Sequence, residues 1–207
     1  GRRHGDPSRP WNRFSIRARR PDGRPTLYYE GNWRDVFQNW EALAQSFPHF
    51  LPNMVARFVN ASTLDGFNPY RITRDGVDWE VIEPDSPWSY IGYWGDHQVV
   101  YLLRLLESLR RTSPDVLMRM LERPIFSYAN VPYRIKPYDD LRRDPHSTVD
   151  FDATLQARIE KRVDELGTDG RLVAAADGKV HHANLIEKLL VTALARLSNF
   201  VPDGGIW

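Results

Sequence analysis

The sequence predicts a mainly α fold decorated with small β-hairpins. Three observations predict it. Apolar residues recur every three or four positions over several long stretches, two strand-turn-strand patterns interrupt them, and no strand–helix–strand alternation of the kind a parallel sheet requires is present. A chain of 207 residues with 42% hydrophobic content has enough apolar surface for one sizeable core or two small ones, which excludes disordered and collagen-like classes.

The first 24 residues hold eight Arg against two Asp, a local charge of +6 that leaves −5 on the rest of a chain whose formal charge is +1. Phe14 and Ile16 alternate with polar neighbours, Pro21-Asp22-Gly23 supplies a turn, and Thr26-Leu27-Tyr28-Tyr29 resumes a strand-like composition, so a β-hairpin is expected. Its arginines read as a basic arm for nucleic acid or, more simply, as a solvated edge strand whose charge suppresses aggregation. Residues 1–31 are therefore taken as a basic N-terminal segment with a hairpin, and residues 32–207 as the helical body.

From Asn32 the period changes. Trp33, Val36, Phe37, Trp40, Ala44 and Phe47 line one face and Arg34, Gln38, Glu41 and Gln45 another, which predicts an amphipathic helix. Pro52 sits in the first turn of the next helix, where its missing N–H is harmless, and Met54, Val55, Phe58 and Val59 give that helix its stripe up to Asp65-Gly66. Residues 70–82, with Arg74-Asp75-Gly76 at the turn, predict a second hairpin.

Ser86-Pro87 opens a long helix with Val99, Leu102, Leu103, Leu106 and Leu109 on one side and Val100, Tyr101 and Leu105 on the other, so burial over most of its surface is expected. Ser113-Pro114-Asp115 pairs an N-cap with a first-turn proline ahead of Val116, Leu117, Met120 and Leu121. Residues 123–149 carry four prolines and no sustained period, while Phe126, Tyr128, Tyr133 and Tyr138 favour order. Phe151, Leu155, Ile159 and Val163 predict a narrow stripe on a charged helix that stops at Gly167. After a turn at Gly178, the residues Leu185, Ile186, Leu189, Leu190, Ala193, Leu194 and Leu197 predict a wide stripe on the last of six helices. An α/α toroid, with helix pairs ringing a cleft, and an ordinary bundle both fit this pattern; no internal repeat supports a solenoid.

Composition narrows the function classes. A net charge of +1 provides no field to steer the chain onto nucleic acid, so no nucleic-acid partner is expected. Zero cysteines exclude disulfides, thiolate metal sites and a cysteine nucleophile, without fixing the redox compartment. With neither an apolar run of about 18 residues nor a hydrophobic signal core, no membrane partner is expected and the cytoplasm is the expected location. The missing initiator Met and the ending Gly204-Gly205-Ile206-Trp207 suggest a piece of a longer chain.

Two constellations could carry chemistry. In Gly31-Asn32-Trp33-Arg34-Asp35-Val36-Phe37-Gln38-Asn39 the opening turns of a helix hold a guanidinium, a carboxylate and an amide, with Arg34 and Gln38 on one face and Asp35 and Asn39 on the adjacent one. Such a patch offers donors and acceptors to vicinal sugar hydroxyls, with Trp33 as an apolar platform. Alternatively, Asp35 complements the helix dipole and Arg34 pairs with a neighbour. In Trp88-Ser89-Tyr90-Ile91-Gly92-Tyr93-Trp94-Gly95-Asp96-His97-Gln98 the polar Asp96, His97 and Gln98 enter a largely apolar helix behind two glycines, which is locally unfavourable. An Asp96 carboxyl held among Tyr93, Trp94 and Tyr101 would be partly desolvated, raising its pKa toward that of a general acid. Equally, Asp96 could be a buried structural carboxylate bonded to a backbone donor or to His97. Asp139-Asp140 reads as a solvated loop pair, and His181-His182 lacks the spacing of a metal-binding helix. The motifs of zinc proteases, P-loop enzymes, serine hydrolases and dinucleotide enzymes do not occur, and no metal site or cofactor is expected.

At these two stretches the sequence resembles the cellobiose-phosphorylase-like glycoside phosphorylases and their α/α-toroid (six-hairpin) glycosidase relatives. Trp33-Arg34-Asp35 followed by Gln38-Asn39 is similar to that family's Arg-Asp-x-x-Gln-Asp sugar-binding segment, with Asn39 in place of the final Asp. Gly95-Asp96-His97 before an apolar helix is similar to the Asp-Asp-His segment that holds the family's general acid, with a single Asp here. Together the motifs cover about a tenth of the chain. The resemblance implies part of an (α/α)6 toroid, with residues 32–207 incomplete at the C-terminus. It further implies cleavage of a glycosidic bond, by phosphorolysis or hydrolysis, with Asp96 as the catalytic acid and inorganic phosphate as co-substrate in the first case. Trp33, Arg34, Asp35, Gln38, Tyr93, Trp94 and His97 would bind the substrate, an oligosaccharide or disaccharide. The competing expectation is a noncatalytic carbohydrate-binding or protein-interaction helical module.

Overall fold

The structure is a computed structural model, and it describes residues 14–15, 19–24, 30–69, 71–73, 76–79, 98–144 and 149–198. These residues form a mainly helical fold with small antiparallel sheets. In order they are β1 (Phe14–Ser15), β2 (Glu30–Asn32), α1 (Trp33–Ser46), α2 (Leu51–Asn60), β3 (Arg71–Thr73), β4 (Gly76–Asp78), α3 (Gln98–Thr112) and α4 (Pro114–Glu122). There follow β5 (Phe126–Ser127), β6 (Tyr133–Ile135), α5 (Tyr138–Arg143), β7 (Val149–Phe151), α6 (Ala153–Leu166), β8 (His182–Ala183) and α7 (Leu185–Ser198), with short 3-10 segments at Pro48–Phe50 and Gly167–Arg171.

The described parts of the two hairpins join, Phe14–Ser15 pairing with Glu30–Gly31, while Ile16 and the expected strand Thr26-Leu27-Tyr28-Tyr29 lie outside the described residues. The order β1-β2-β3-β4 is a single antiparallel sheet in which Phe14 pairs with Gly31, Gly31 with Ile72 and Ile72 with Val77. The turn at Pro21-Asp22-Gly23 closes through Gly23 N donating to the Arg20 carbonyl over 2.9 Å, with Gly23 at φ 81°, a conformation glycine adopts without strain. Because β2 runs directly into α1, this sheet fixes the end of the helical body from which α1 starts.

The main core is an aromatic knot between α1 and α2 covered by α3. Trp33 and Phe37 lie one turn apart on α1, and both reach Phe58 of α2, with ring centroids 4.8 Å apart for Trp33–Phe37 and Phe37–Phe58 and 5.8 Å for Trp33–Phe58. Such tilted and edge-to-face pairs match the ring quadrupoles and bury large apolar areas. Met54, Val55, Phe58 and Val59 are all buried as the helical period demands. The second helix nevertheless stops at Asn60 rather than at Asp65-Gly66, which form a separate turn closed by Gly66 N donating to the Thr63 carbonyl.

Three faces differ from expectation. In α3 the buried residues are Leu102, Leu105, Ser108 and Leu109, while Val100 and Leu103 are about half exposed, so this helix is one-sided rather than buried over most of its surface; the opening residues Ser86-Pro87 lie outside the described residues. Phe151 is not on α6 at all: it ends strand β7 and is 58% exposed, and Asp152 behind it caps α6 by accepting from Leu155 N at 2.8 Å. In α7 the inward face is Leu185, Lys188 and Thr192, while Ile186, Leu190 and Leu194 point outward. Among the described residues one helix was not among the six expected: α5, a six-residue segment in the proline-rich stretch, with Leu141 buried and Asp140 paired to Arg143 at 3.2 Å. The order expected from Phe126 and Tyr128 is present, both being fully buried, and β5 pairs with β8 while β6 pairs with β7. Among the described residues no helix is long and apolar enough to cross a membrane.

Candidate functional site

The N-terminal end of α1 concentrates polar groups that the fold buries without partnering them. Asn32 occupies the N-cap position with extended dihedrals, φ −61° and ψ 140°, yet its side chain makes no capping bond, and its Nδ2 is buried without a hydrogen-bond partner. Capping is the ordinary use of an asparagine in this position. Asp35, in the first turn, is 3% exposed; its Oδ1 accepts from Nε and Nη2 of Arg34, each at 3.3 Å, while its Oδ2 is buried and unpartnered. The positive end of the helix dipole favours a carboxylate here, but a buried oxygen left without a donor costs roughly 1–3 kcal/mol. Arg34 itself keeps about a third of its side chain exposed.

Trp33 corrects an expectation. As a sugar platform it would need an open face, but it is 0% exposed because the first turn of α1 lays its ring onto Phe37 and Phe58. Its Nε1 is the third buried polar atom without a partner at this end of the helix, a second donor beside the acceptor Asp35 Oδ2. Gln38 and Asn39 are exposed, so Asp35 and Asn39 do not share an environment although they are one turn apart. Beside the cluster, Asn32 pairs in register with Arg71, whose Nε donates to Asp78 Oδ2 at 2.6 Å across the hairpin. Tyr93, Trp94, Asp96 and His97 lie outside the described residues.

A second polar centre escaped the sequence. Lys188 of α7 is 1% exposed, and its Nζ donates to the Ser127 carbonyl at 2.7 Å and to the Ser62 carbonyl at 3.4 Å. The same nitrogen stands 3.4 Å from the centre of the Tyr128 ring. Burial lowers the amine from the ordinary lysine value to about 7, and the Glu187 carboxylate acts the other way. The Tyr128 hydroxyl donates to Glu187 Oε1 at 3.2 Å and is pushed well above its ordinary range, by burial first and then by the charge and hydrogen bond of Glu187. His181 stacks on Tyr128 with centroids 5.8 Å apart and lies 3.6 Å from Glu187, whereas His182 is exposed and turned to the Val180 carbonyl. The amine ties together the end of α2, strand β5 and α7, and its enclosure makes it a tether rather than a nucleophile. The signal for it was one lysine at i+3 from Leu185 and i−4 from Thr192, masked by the width of the leucine stripe.

Among the described residues no group of three or more His, Asp or Glu is placed to hold a metal ion. Compared with protein-family profiles and with curated proteins, the chain matches none.

Proposed function

We propose that the start of α1 is the sugar-contacting edge of a carbohydrate-active enzyme segment that cleaves a glycosidic bond, and that the helical body is part of an α/α toroid. The observation that carries this reading is Asp35, a buried carboxylate with one oxygen held by Arg34 and the other unpartnered, three residues from Asn32, whose buried Nδ2 also lacks a partner. The part-exposed guanidinium of Arg34 offers a vicinal diol its entry, and displacing the side chains over Asp35 Oδ2 and Asn32 Nδ2 would give these the hydroxyl proton and the oxygen they lack. Gln38, one turn along α1 and exposed, adds an amide on the outer side.

In this reading the chemistry belongs to the second motif, on its resemblance to the glycoside phosphorylases. Asp96 protonates the glycosidic oxygen as the bond to the anomeric carbon breaks, and phosphate, or water activated by a second carboxylate, takes that carbon. Tyr93 and Trp94 provide stacking surface and His97 a further polar contact. The test is product analysis from cellobiose and maltose with and without phosphate, on the chain and its Asp96→Asn variant. Release of glucose or glucose phosphate that falls at least about a hundredfold in the variant is expected. Equal turnover in both removes Asp96 from the acid role, and saturable binding without any turnover reassigns the site to a noncatalytic carbohydrate-binding module.

A further inference from the structure

A groove of about 590 Å³ opens between α2, the edge strand β4, the segment 127–132 and α6. That volume falls within the roughly 300–1,000 Å³ typical of small-molecule sites. Its walls carry two guanidinium groups, Arg57 and Arg171, and two carboxylates, Glu160 and Asp164. Gln156, Glu160 and Asp164 are spaced four residues apart and so form one stripe of α6 facing the space. The opposite charges do not close on one another: Arg57, Arg171 and Asp164 form no ion pair among the described residues, and Glu160 accepts only from Gln156 Nε2, at 2.7 Å. Trp79, just past β4, packs against the small Phe67–Val131 cluster and also lines the groove.

These charges cancel, which disfavours a polyanion such as nucleic acid and equally a cation. What fits is a neutral molecule with many hydroxyls, able to accept from guanidinium and amide groups, donate to carboxylates, and lay apolar C–H surface on an indole. The groove also lies at the α1 end of the body, since Asn60 at the end of α2 lines it and β4 is two strands from β2, about 10 Å at ordinary strand spacing. We propose that this groove is a second saccharide-binding subsite, holding the part of an oligosaccharide that extends beyond the α1 cluster. The choice of a saccharide rests on the proposed reading of that cluster, while the groove's neutral polyhydroxyl preference stands on its own lining.

The test is a titration of the chain with cellobiose, cellotetraose, maltose and maltotetraose, followed by amide NMR shifts and calorimetry, on the wild type and on Arg171→Gln, Asp164→Asn and Arg34→Ala. The two groove variants change exposed side chains and are expected to fold. A tetrasaccharide is expected to bind about tenfold more tightly than its disaccharide, an advantage lost in Arg171→Gln and Asp164→Asn while disaccharide affinity stays unchanged. Equal affinities for both lengths, sensitive to Arg34 alone, overturn the groove proposal and leave the α1 reading standing. Tetrasaccharide binding that responds to Arg171 and not to Arg34 supports the groove and removes the α1 reading. No binding of any of the four sugars overturns both.

Discussion

The Nζ of Lys188 sits 3.4 Å above the ring of Tyr128 and 2.7 Å from the carbonyl oxygen of Ser127, on a side chain that is 1% exposed. With the amine lowered to about 7 in the folded chain and at 10.5 in the unfolded one, the unfolded state holds a proton that the folded state lacks between those values. Stability therefore rises with pH from about 7 to about 10, with a slope of up to about 1.4 kcal/mol per pH unit, and the full burden of burying the charge is present below 7. The raised Tyr128 hydroxyl contributes with the opposite sign, and only above its unfolded value of 10.0. Urea unfolding from pH 6 to 10 is expected to show this rise in the wild type and a flat profile in Lys188→Met; the same slope in both would assign it elsewhere.

The 3-10 segment Gly167–Arg171 folds back on α6 so closely that a Cβ on buried Gly170 would overlap the backbone of Arg162 and Val163. Backbone cannot step aside as a flexible side chain can. Gly170→Ala is expected to lower unfolding free energy by about 3 kcal/mol, read as a shift in denaturant midpoint. A shift below about 0.5 kcal/mol would mean that this packing is not formed.

The asymmetry of α3 gives a paired prediction. Leu105 is fully buried and Leu103 is 55% exposed, so Leu105→Ala is expected to cost about 2–5 kcal/mol and Leu103→Ala less than about 0.5 kcal/mol. Equal losses in thermal or chemical unfolding would restore the symmetric burial that the leucine spacing suggests.

Helix starts divide in the same way. Asp152 accepts from Leu155 N, whereas Ser113 stands at the N-cap of α4 with no side-chain bond. Asp152→Ala is expected to cost about 1 kcal/mol and Ser113→Ala close to none, a contrast that circular-dichroism melts resolve.

These cases indicate where sequence suffices. The α2 stripe of Met54, Val55, Phe58 and Val59 was legible because only one face of that helix is apolar, and the hairpin turns were legible from Asp-Gly dipeptides. In α7 the apolar residues cover more than half the circumference, so periodicity could not say which side faces inward, and the answer turned on Lys188 meeting two carbonyls supplied by distant segments. Phe151 continues the four-residue spacing of α6 by coincidence, since Asp152 is a better N-cap than an interior residue. At the candidate site, Arg34 and Asp35 were legible as a polar pair at a helix start, but the burial of Trp33 depends on Phe58 arriving from α2. The groove assembles Arg57, Trp79, Asp164 and Arg171 from four separate segments, and no local pattern announces it.

Under the proposed function, Arg34 and Asp35 hold sugar hydroxyls. Isothermal calorimetry of cellobiose and maltose against the wild type, Arg34→Ala and Asp35→Asn addresses it most directly, with circular dichroism verifying that each variant is folded. Saturable binding of at least one disaccharide, weakened about tenfold or more in both folded variants, is the predicted result. Absence of binding, or affinity unchanged in both variants, would contradict the claim and leave the buried Asp35 as a helix-end carboxylate tied to Arg34.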